Sequence, residues 1–193
     1  MKVYFDTEFT GLQKDTDLIS IGFVSENGKT FYAEFTDYDE SKCDDWIQKN
    51  VIDNLILKNH MYVSNVRDFR IAADKNHIKD VLIEWFKSFG EDIQLVSDVC
   101  HYDMVLLIDL FGTAFDLPSN VSASCYDINQ DIARYYKISQ KEAFDKSREN
   151  TIEVYNERIK EWLPESKPII IEGDKHNSLY DAKVIQQIYN ICK

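Results

Sequence analysis

The chain has 193 residues, of which 44% are hydrophobic, and this length and apolar content suit one domain with a substantial core. Only three prolines and six glycines occur, which argues against a disordered or low-complexity chain. The formal net charge of −12 argues against a protein that coats nucleic acid through a general basic surface, although an enzyme could still contact phosphate groups locally.

No export or membrane signal is recognisable in the sequence. It enters a predicted strand directly after Met1, and no run of about eighteen apolar residues occurs. We therefore expect a cytoplasmic protein with no membrane partner. The four cysteines are far apart and show no C-x-x-C spacing, so a zinc site is not indicated.

The first motif is KVYFDTEFTGL, an apolar run that ends in two carboxylates. Residues two apart on a strand point to the same face, so Asp6 and Glu8 are predicted to project together. Two adjacent anions favour a bound cation. Gly11 then permits a tight turn that leaves Leu12 exposed beside the acids. Taken alone, such a pair is more often a solvated strand end.

The next two segments are predicted to extend this strand into an antiparallel sheet. Residues 17–25 alternate between apolar and polar positions, a Glu-Asn-Gly turn follows, and residues 29–36 return. Residues 43–50 are predicted to form a short helix with Trp46 and Ile47 facing the core.

A longer helix and a parallel strand are predicted in the middle of the chain. Residues 51–70 mix helical and extended preferences and receive no assignment, whereas residues 71–89 carry an apolar helical stripe. The apolar run 93–97 is expected to pair in parallel with the first strand after a helical crossover. A helix over 102–111 follows, which places Asp103 in its first turn.

The last third is predicted to be mainly helical. A short fifth strand is expected over 121–125, and a helix over 127–136. A Lys- and Glu-rich helical segment follows over 139–163, and we interpret about 137–167 as a helical insertion, in the form of an inserted or lid-like helical pair. The final helix is predicted over 178–191.

The start of the final helix determines whether His176 and Asp181 can serve one site. Residues five apart lie on different faces of a helix, so His176 must lie on the preceding loop. Ser178 is predicted to be the N-cap of a Ser-x-x-Asp capping pattern. The helix N-terminus favours Asp181 in its ionised form, although a role only as a capping acid is the alternative.

Together, these segments supply the side chains of a phosphodiesterase site. Asp6, Glu8, Asp103 and Asp181 come from three separate parts of the chain, and His176 adds an imidazole. Four carboxylates with a nearby histidine match a site in which two divalent ions hold the attacking and leaving oxygens.

Three motifs resemble those of the DEDDh family of 3′-to-5′ exonucleases, within the ribonuclease H-like superfamily. FDTEFTGL, residues 5–12, is similar to D-x-E-x-T-G-L, with Phe9 where a second threonine is frequent. In VSDVCHYDMVLL, Tyr102 and Asp103 occupy the aromatic-then-Asp position. HNSLYDA, residues 176–182, matches H-x-x-x-x-D-A. The most similar subgroup is the small RNase T-like exoribonucleases related to a mycobacterial enzyme, and phage exonucleases are another related group.

The resemblance implies an α/β, ribonuclease H-like fold. We expect a mixed five-stranded sheet, with three antiparallel strands followed by parallel strands, flanked by helices in a single domain over residues 1–193. The resemblance also implies hydrolysis at the 3′ end of single-stranded RNA or DNA, with RNA favoured, and release of nucleoside 5′-monophosphates. Many members of the family are dimers, so a homodimer is a further expectation.

The resemblance also implies specific roles for the acids and the histidine. Asp6, Glu8, Asp103 and Asp181 would hold two divalent ions, with Asp6 bridging them. Oxygen ligands suit Mg²⁺ or Mn²⁺ and disfavour zinc. His176 would be the general base that takes a proton from the attacking water.

Five further residues are expected to contact the substrate. They are Thr7, Phe9, Thr10, Leu12 and Tyr102. Phe9 and Leu12 would contact the terminal base, and the backbone near Thr10 would hold the 3′-hydroxyl group.

Alternatives remain for several of these residues. Asp98 competes with Asp103 for the third acid position because it ends its predicted strand more abruptly, and His101 is expected to support the site rather than to catalyse. The basic residues between 137 and 160 are interleaved with glutamates, which favours a solvated helix face over a path for the strand. A catalytically silent module that binds nucleic acid or protein is the alternative function, and the presence of all four acids and the histidine disfavours it.

Overall fold

A central β-sheet begins with the apolar first segment of the chain. The computed structural model describes residues 1–58, 63–64 and 67–193. The strands are β1 (Lys2–Phe9), β2 (Leu18–Ser25), β3 (Thr30–Phe35), β4 (Val63–Ser64), β5 (Asp68–Ala73), β6 (Ile93–Ser97) and β7 (Val121–Asp127). Their order across the sheet is β4-β5-β3-β2-β1-β6-β7. The first segment therefore lies inside the sheet, with a partner strand on each side.

The pairing of the strands confirms the mixed ribonuclease H-like sheet. β1 pairs antiparallel with β2, and β2 pairs antiparallel with β3. β6 runs parallel to β1, and β7 runs parallel to β6. Two strands, β4 and β5, add to the five expected, because part of the unassigned range 51–70 and the start of the predicted helix after it are extended.

Helices cover both faces of the sheet. They are α1 (Asp45–Asn50), α2 (Lys75–Lys87), α3 (His101–Phe111), α4 (Asn129–Tyr136), α5 (Gln140–Phe144), α6 (Arg148–Trp162) and α7 (Ser178–Cys192). One face packs Phe5, Phe23 and Phe31 against residues of α2 and α3. The other packs Tyr4 and Val96 against residues of α4 and α7. None of the helices in the described part of the chain is long and apolar enough to span a membrane.

The predicted start of the second long helix, at residue 71, is wrong. Residues 71–73 belong to β5, which pairs in parallel with β3, and Ile71 lies opposite Ala33. The helix begins only after Asp74, whose carboxylate accepts hydrogen bonds from the backbone N–H groups of Asn76 and His77. The apolar residues before Asp74 suit a buried strand as well as a helix, and pairing with β3 decides between the two.

The predicted inward orientation of Trp46 is also wrong. Ile47 is buried, whereas 51% of Trp46 is exposed. Asp44 caps α1 by accepting a hydrogen bond from the backbone N–H of Ile47. In this short surface helix the buried position is that of Ile47, whereas the ring of Trp46 contacts that of His176.

The Lys- and Glu-rich segment over 139–163 forms two helices, α5 and α6. Ser139 and Glu142 make a reciprocal capping box at the start of α5. Ser147 then caps α6 by accepting a hydrogen bond from the backbone N–H of Asn150. Because each serine begins a new helix, the chain turns between Phe144 and Arg148.

Candidate active site

The end of β1 supplies the first two acids. Asp6 and Glu8 are two residues apart and follow Tyr4 on the face of the sheet that α7 covers. Gly22 lies opposite Asp6 in the β1–β2 ladder. A Cβ atom at Gly22 would lie only 2.4 Å from the backbone nitrogen of Leu179, so the glycine allows the first turn of α7 to touch the sheet.

Asp103 reaches the same region from the first turn of α3. Its carboxylate is buried and accepts three hydrogen bonds. The Thr7 hydroxyl donates to Oδ1 at 2.6 Å and the Thr7 backbone N–H at 3.1 Å, while the Ser97 hydroxyl donates to Oδ2 at 2.7 Å. These contacts join α3 to β1 and β6 and fix the orientation of the carboxylate.

Asp181 and His176 reach the site from the beginning of α7. The predicted N-cap, Ser178, is wrong. Asn177 caps the helix by accepting hydrogen bonds from the backbone N–H groups of Leu179 and Tyr180. Ser178 is the first helical residue, and its hydroxyl hydrogen-bonds the Ser20 hydroxyl at 2.9 Å. This buried contact with β2 decides which residue caps the helix, because the Ser178 hydroxyl bonds to Ser20 and not to the backbone of α7.

The loop before α7 places the imidazole beside the acids, as the sequence predicts. His176 adopts a left-handed backbone conformation with φ of 62°, and its backbone N–H donates to Asp181 Oδ2 at 2.8 Å. Its Nδ1 lies 4.0 Å from Glu8 Oε1. The exposed ring of Trp46 covers the imidazole in an edge contact with a centroid distance of 5.0 Å. His176 is thus fixed by the hydrogen bond to Asp181 and by the contact with the exposed Trp46 ring.

All four predicted acids and the histidine line one cleft of about 410 Å³. The same cleft is lined by Asp98, the alternative to Asp103. Asp98 does not stand free, because both of its oxygens pair with Arg148, at 2.6 Å to Nε and 2.7 Å to Nη2. His101, at the start of α3, is exposed and is not among the described residues that line this cleft.

The sequence analysis missed the contribution of α6 to this cleft. Lys146, Arg148 and Glu149 line it together with Lys175. We interpreted Lys146 and Arg148 as part of a solvated helix face because glutamates are interleaved with the basic residues of that segment. Ser147, a residue type that often caps helices, directly precedes Arg148, and this is the signal that could have shown a helix beginning at the site.

The expected substrate-contact residues range from exposed Leu12 and Tyr102, through half-buried Phe9, to two buried threonines. Phe9 and Tyr102 stack with a centroid distance of 5.3 Å, and the Tyr102 hydroxyl donates to the Leu12 carbonyl at 2.6 Å. Leu12 itself is 74% exposed. Thr7 and Thr10 are buried, and the Thr10 hydroxyl accepts a hydrogen bond from the backbone N–H of residue 17.

Burial shifts the proton affinities of all four acids in the same direction. It raises the pKa of Asp6 and of Glu8 well above the usual range, and the neighbouring carboxylates raise both further. Burial raises the pKa of Asp103 to about 6, although hydrogen bonds from Thr7 and Ser97 oppose the shift. It also raises the pKa of Asp181 to about 7. The ionised forms of these acids are therefore disfavoured by burial, and mutual repulsion adds to this for Asp6 and Glu8.

The donor atoms of the cluster fit divalent cations. Among the residues that the structure describes, Glu8, His176 and Asp181 each offer a ligand atom, and these atoms lie within 4.8 Å of one another. Asp6 and Asp103 add carboxylate oxygens to the same cleft. Closely spaced carboxylates with raised pKa values are stabilised by a cation, and oxygen donors suit hard ions.

The sequence of the whole chain matches one family. The model of the 3′-5′ exoribonuclease Rv2179c-like domain matches residues 1–192. The chain belongs to this exoribonuclease family.

Two curated relatives support this assignment. The 3′-5′ exoribonuclease Rv2179c of Mycobacterium tuberculosis strain H37Rv is 29% identical over 131 residues, which cover 67% of this chain and 73% of that protein. The 3′-5′ exoribonuclease MT2234.1 of strain CDC 1551 shows the same identity and coverage.

Solved structures show the same fold as this exoribonuclease family member. The nuclease domain of 3′hExo, a DEDDh family member bound to rAMP, has a TM-score of 0.64 and 13% identity, covering 97% of this chain and 88% of that one. A 3′-exonuclease that recognises the 3′ end of a histone mRNA stem-loop has a TM-score of 0.60 and 14% identity. The match covers 97% of this chain and 61% of that chain, so this chain spans less than two thirds of its length.

These matches confirm that the chain is a nuclease with the DEDDh, ribonuclease H-like fold. They also confirm the resemblance to mycobacterial exoribonucleases that the three motifs predict. DEDDh exonucleases depend on divalent metal ions and act on nucleic acid, in agreement with the donor atoms in the cleft.

Proposed function

We propose that this chain is a two-metal-ion exonuclease that removes single nucleotides from the 3′ end of single-stranded RNA and releases nucleoside 5′-monophosphates. The observation that carries the proposal is the convergence of four carboxylates and one imidazole, from three separate segments, on a single cleft. Membership of the exoribonuclease family supports RNA as the preferred substrate.

Four acids would hold the metal ions, which we propose are Mg²⁺ or Mn²⁺. Asp6 would bridge the two positions, Glu8 and Asp181 would hold the ion near the attacking water, and Asp103 would help to hold the other. When bound, the two ions would neutralise charge on the phosphodiester and lower the pKa of the attacking water. The hydrogen bonds from Thr7 and Ser97 would orient the Asp103 carboxylate for this purpose.

His176 would act as the general base. Partial burial and the nearby ammonium of Lys175 lower its pKa, so the imidazole is neutral and can accept a proton near neutral pH. Its Nδ1 faces Glu8, and Asp181 accepts a hydrogen bond from its backbone N–H. The backbone hydrogen bond to Asp181 therefore holds His176 beside the acids, in addition to the contact of its side chain with Glu8.

The stacked pair of Phe9 and Tyr102 would bind the terminal nucleotide. The hydrogen bond from Tyr102 to the carbonyl of Leu12 fixes the turn after β1, which supports a contact of Leu12 with the terminal base. We propose that the backbone near Thr10 holds the 3′-hydroxyl group. Thr7 would act on the substrate indirectly, because its hydroxyl hydrogen-bonds the Asp103 carboxylate.

Matched RNA and DNA oligonucleotides, labelled at either end and supplied with Mg²⁺ or Mn²⁺, test the proposal. We expect the 3′-labelled RNA to release mononucleotides first, the 5′-labelled RNA to shorten in steps, and Asp6→Ala to be inactive. Internal cuts would point to an endonuclease. No metal-dependent product from a folded sample would point to a silent binding module. A cytoplasmic location and a homodimer remain predictions.

A further inference from the structure

The turn between α5 and α6 forms a wall of the cleft, and this turn carries none of the proposed catalytic residues. Phe144, at the end of α5, and Lys146, two residues later, both line the cleft that holds the acids. The aromatic ring of Phe144 is 59% exposed. Phe144 therefore offers an aromatic surface close in sequence to a lysine within the acidic cleft, unlike the exposed Phe115, which does not line it.

Arg148 holds this turn in place. Its guanidinium pairs with both oxygens of Asp98, and it donates hydrogen bonds to the carbonyls of Ala143 and Lys146. The side chains of Arg148 and Asp98 are only 12% and 20% exposed. One arginine therefore links the end of β6 to the backbone on both sides of Phe144, which gives the turn a defined position in the cleft.

Lys146 differs from the other cations in the cleft. Arg148 is paired with Asp98, and Lys175 is paired with Glu149 at 3.5 Å. Among the described residues, no carboxylate pairs with Lys146, and its ammonium lies 4.1 Å from the centre of the Tyr136 ring. In a chain with a net charge of −12, it is thus the cleft cation that remains available to a phosphate group.

We propose that this turn binds the penultimate nucleotide of the substrate: the Phe144 ring stacks on its base, and the Lys146 ammonium contacts its 5′-phosphate. The inference rests on the proposed exonuclease function. In the proposed function the acids and the Phe9–Tyr102 pair would surround the terminal nucleotide, so the rest of the strand would leave along another wall. Aromatic stacking combined with a local cation is how proteins bind single strands without reading their sequence.

Modified substrates can test each contact separately. Phe144→Ala is expected to raise KM about 10-fold for a single-stranded RNA, with a much smaller change in kcat. The effect should disappear when the penultimate nucleotide is abasic. Lys146→Ala should weaken binding, and should reduce the slope of log KM against log salt by about 0.7. That effect should disappear when a neutral methylphosphonate replaces the 5′-phosphate of the penultimate nucleotide.

Matched variants serve as controls. Phe144→Trp and Lys146→Arg should bind RNA about as well as wild type, because an aromatic ring and a positive charge are retained. Phe115→Ala and Lys160→Ala should behave as wild type, since Phe115 is 98% exposed, Lys160 is also exposed, and neither lines the cleft.

A binding measurement separates this inference from the proposed function. Fluorescence anisotropy with a labelled RNA, in a His176→Ala background that slows turnover, should show the same losses of affinity for the Phe144 and Lys146 variants. If affinity is equal in all variants while wild type still releases mononucleotides, the inference is wrong and the exonuclease proposal stands. If wild type is inactive but the variants lose affinity, the nucleotide contact stands and the exonuclease proposal fails.

Discussion

Gly22 lies directly opposite Asp6 in the β1–β2 ladder, and the first turn of α7 contacts its backbone. A Cβ atom at this position would lie 2.4 Å from the backbone nitrogen of Leu179, a distance that only movement of the helix could relieve. Because α7 carries Asp181, the glycine controls how closely the acid from the last helix approaches the acid from the first strand.

Gly22→Ala should therefore lower both stability and activity. We expect a loss of about 2 kcal/mol in the free energy of unfolding, because the clash is with backbone atoms that cannot rotate away. Urea denaturation and kcat would measure the two effects. Ser20→Ala is the matched control, because it removes only the hydrogen bond to Ser178 and should cost about 1 kcal/mol with nearly full activity. A Gly22→Ala enzyme with wild-type kcat would contradict this account.

Thr7→Val should weaken metal binding without disrupting the core. The substitution keeps the shape of the side chain but removes the hydroxyl that donates to Asp103 at 2.6 Å. We expect the Mg²⁺ concentration for half-maximal activity to rise about 10-fold or more, since hydrogen bonds to ligating side chains tune metal affinity. Thr7→Ser retains the donor and should stay near wild type. Equal metal dependence in the two variants would argue against this role.

The acid cluster should make stability depend jointly on pH and metal. The folded-state pKa values of Asp103 and Asp181, about 6 and about 7, exceed those of an unfolded chain. The folded protein therefore binds more protons than the unfolded chain, so this cluster loses stability as the pH rises from about 4 to about 7.

Divalent cations should offset this loss. At pH 8, thermal unfolding with Mg²⁺ should occur several degrees above unfolding in a chelator, and the difference should shrink near pH 5, where protons replace the cations. Asp6→Asn should show a smaller difference at pH 8. A metal effect of equal size at both pH values would contradict the proposed cluster.

Substitutions at His176 and Trp46 should affect kcat to different degrees. His176→Gln removes the proposed base and should lower kcat by about 10²- to 10⁴-fold with little change in KM. Trp46→Ala removes the ring that contacts the imidazole at 5.0 Å and should cost roughly 10-fold or less in kcat, because the base remains but moves more freely. Trp46→Phe should recover most of that loss. A Trp46→Ala effect confined to KM would instead indicate a substrate contact.

Arg148→Met should destabilise the protein more than the loss of one surface ion pair would. It leaves the carboxylate of Asp98 unpaired beside the catalytic acids, and we expect a loss of about 2 kcal/mol in the free energy of unfolding. The double variant Arg148→Met with Asp98→Asn should regain part of that stability. Additive losses in the double variant would show that the two residues do not act as a pair.

Much of the fold could be predicted because its signals are local. An apolar run indicated β1, alternating residues indicated β2, the turn after it indicated β3, and an apolar helical stripe indicated most of α2. The errors occurred where local preference allows two structures. Residues 71–73 suit a helix or a strand, and both Asn177 and Ser178 can cap a helix, so contacts with β3 and with Ser20 decided the outcome.

The amino-acid sequence by itself indicated which acids and which histidine are candidates for the cluster, through the two-residue spacing of Asp6 and Glu8 on β1 and the resemblance of three motifs to those of DEDDh exonucleases. Only the tertiary structure decided that Phe144, Lys146 and Arg148 reach the same cleft. Arg148 and Asp98 are fifty positions apart, and local periodicity does not encode the direction in which a distant helix packs. The acids could therefore be found from motifs, whereas the wall that we propose for the penultimate nucleotide could be found only from contacts.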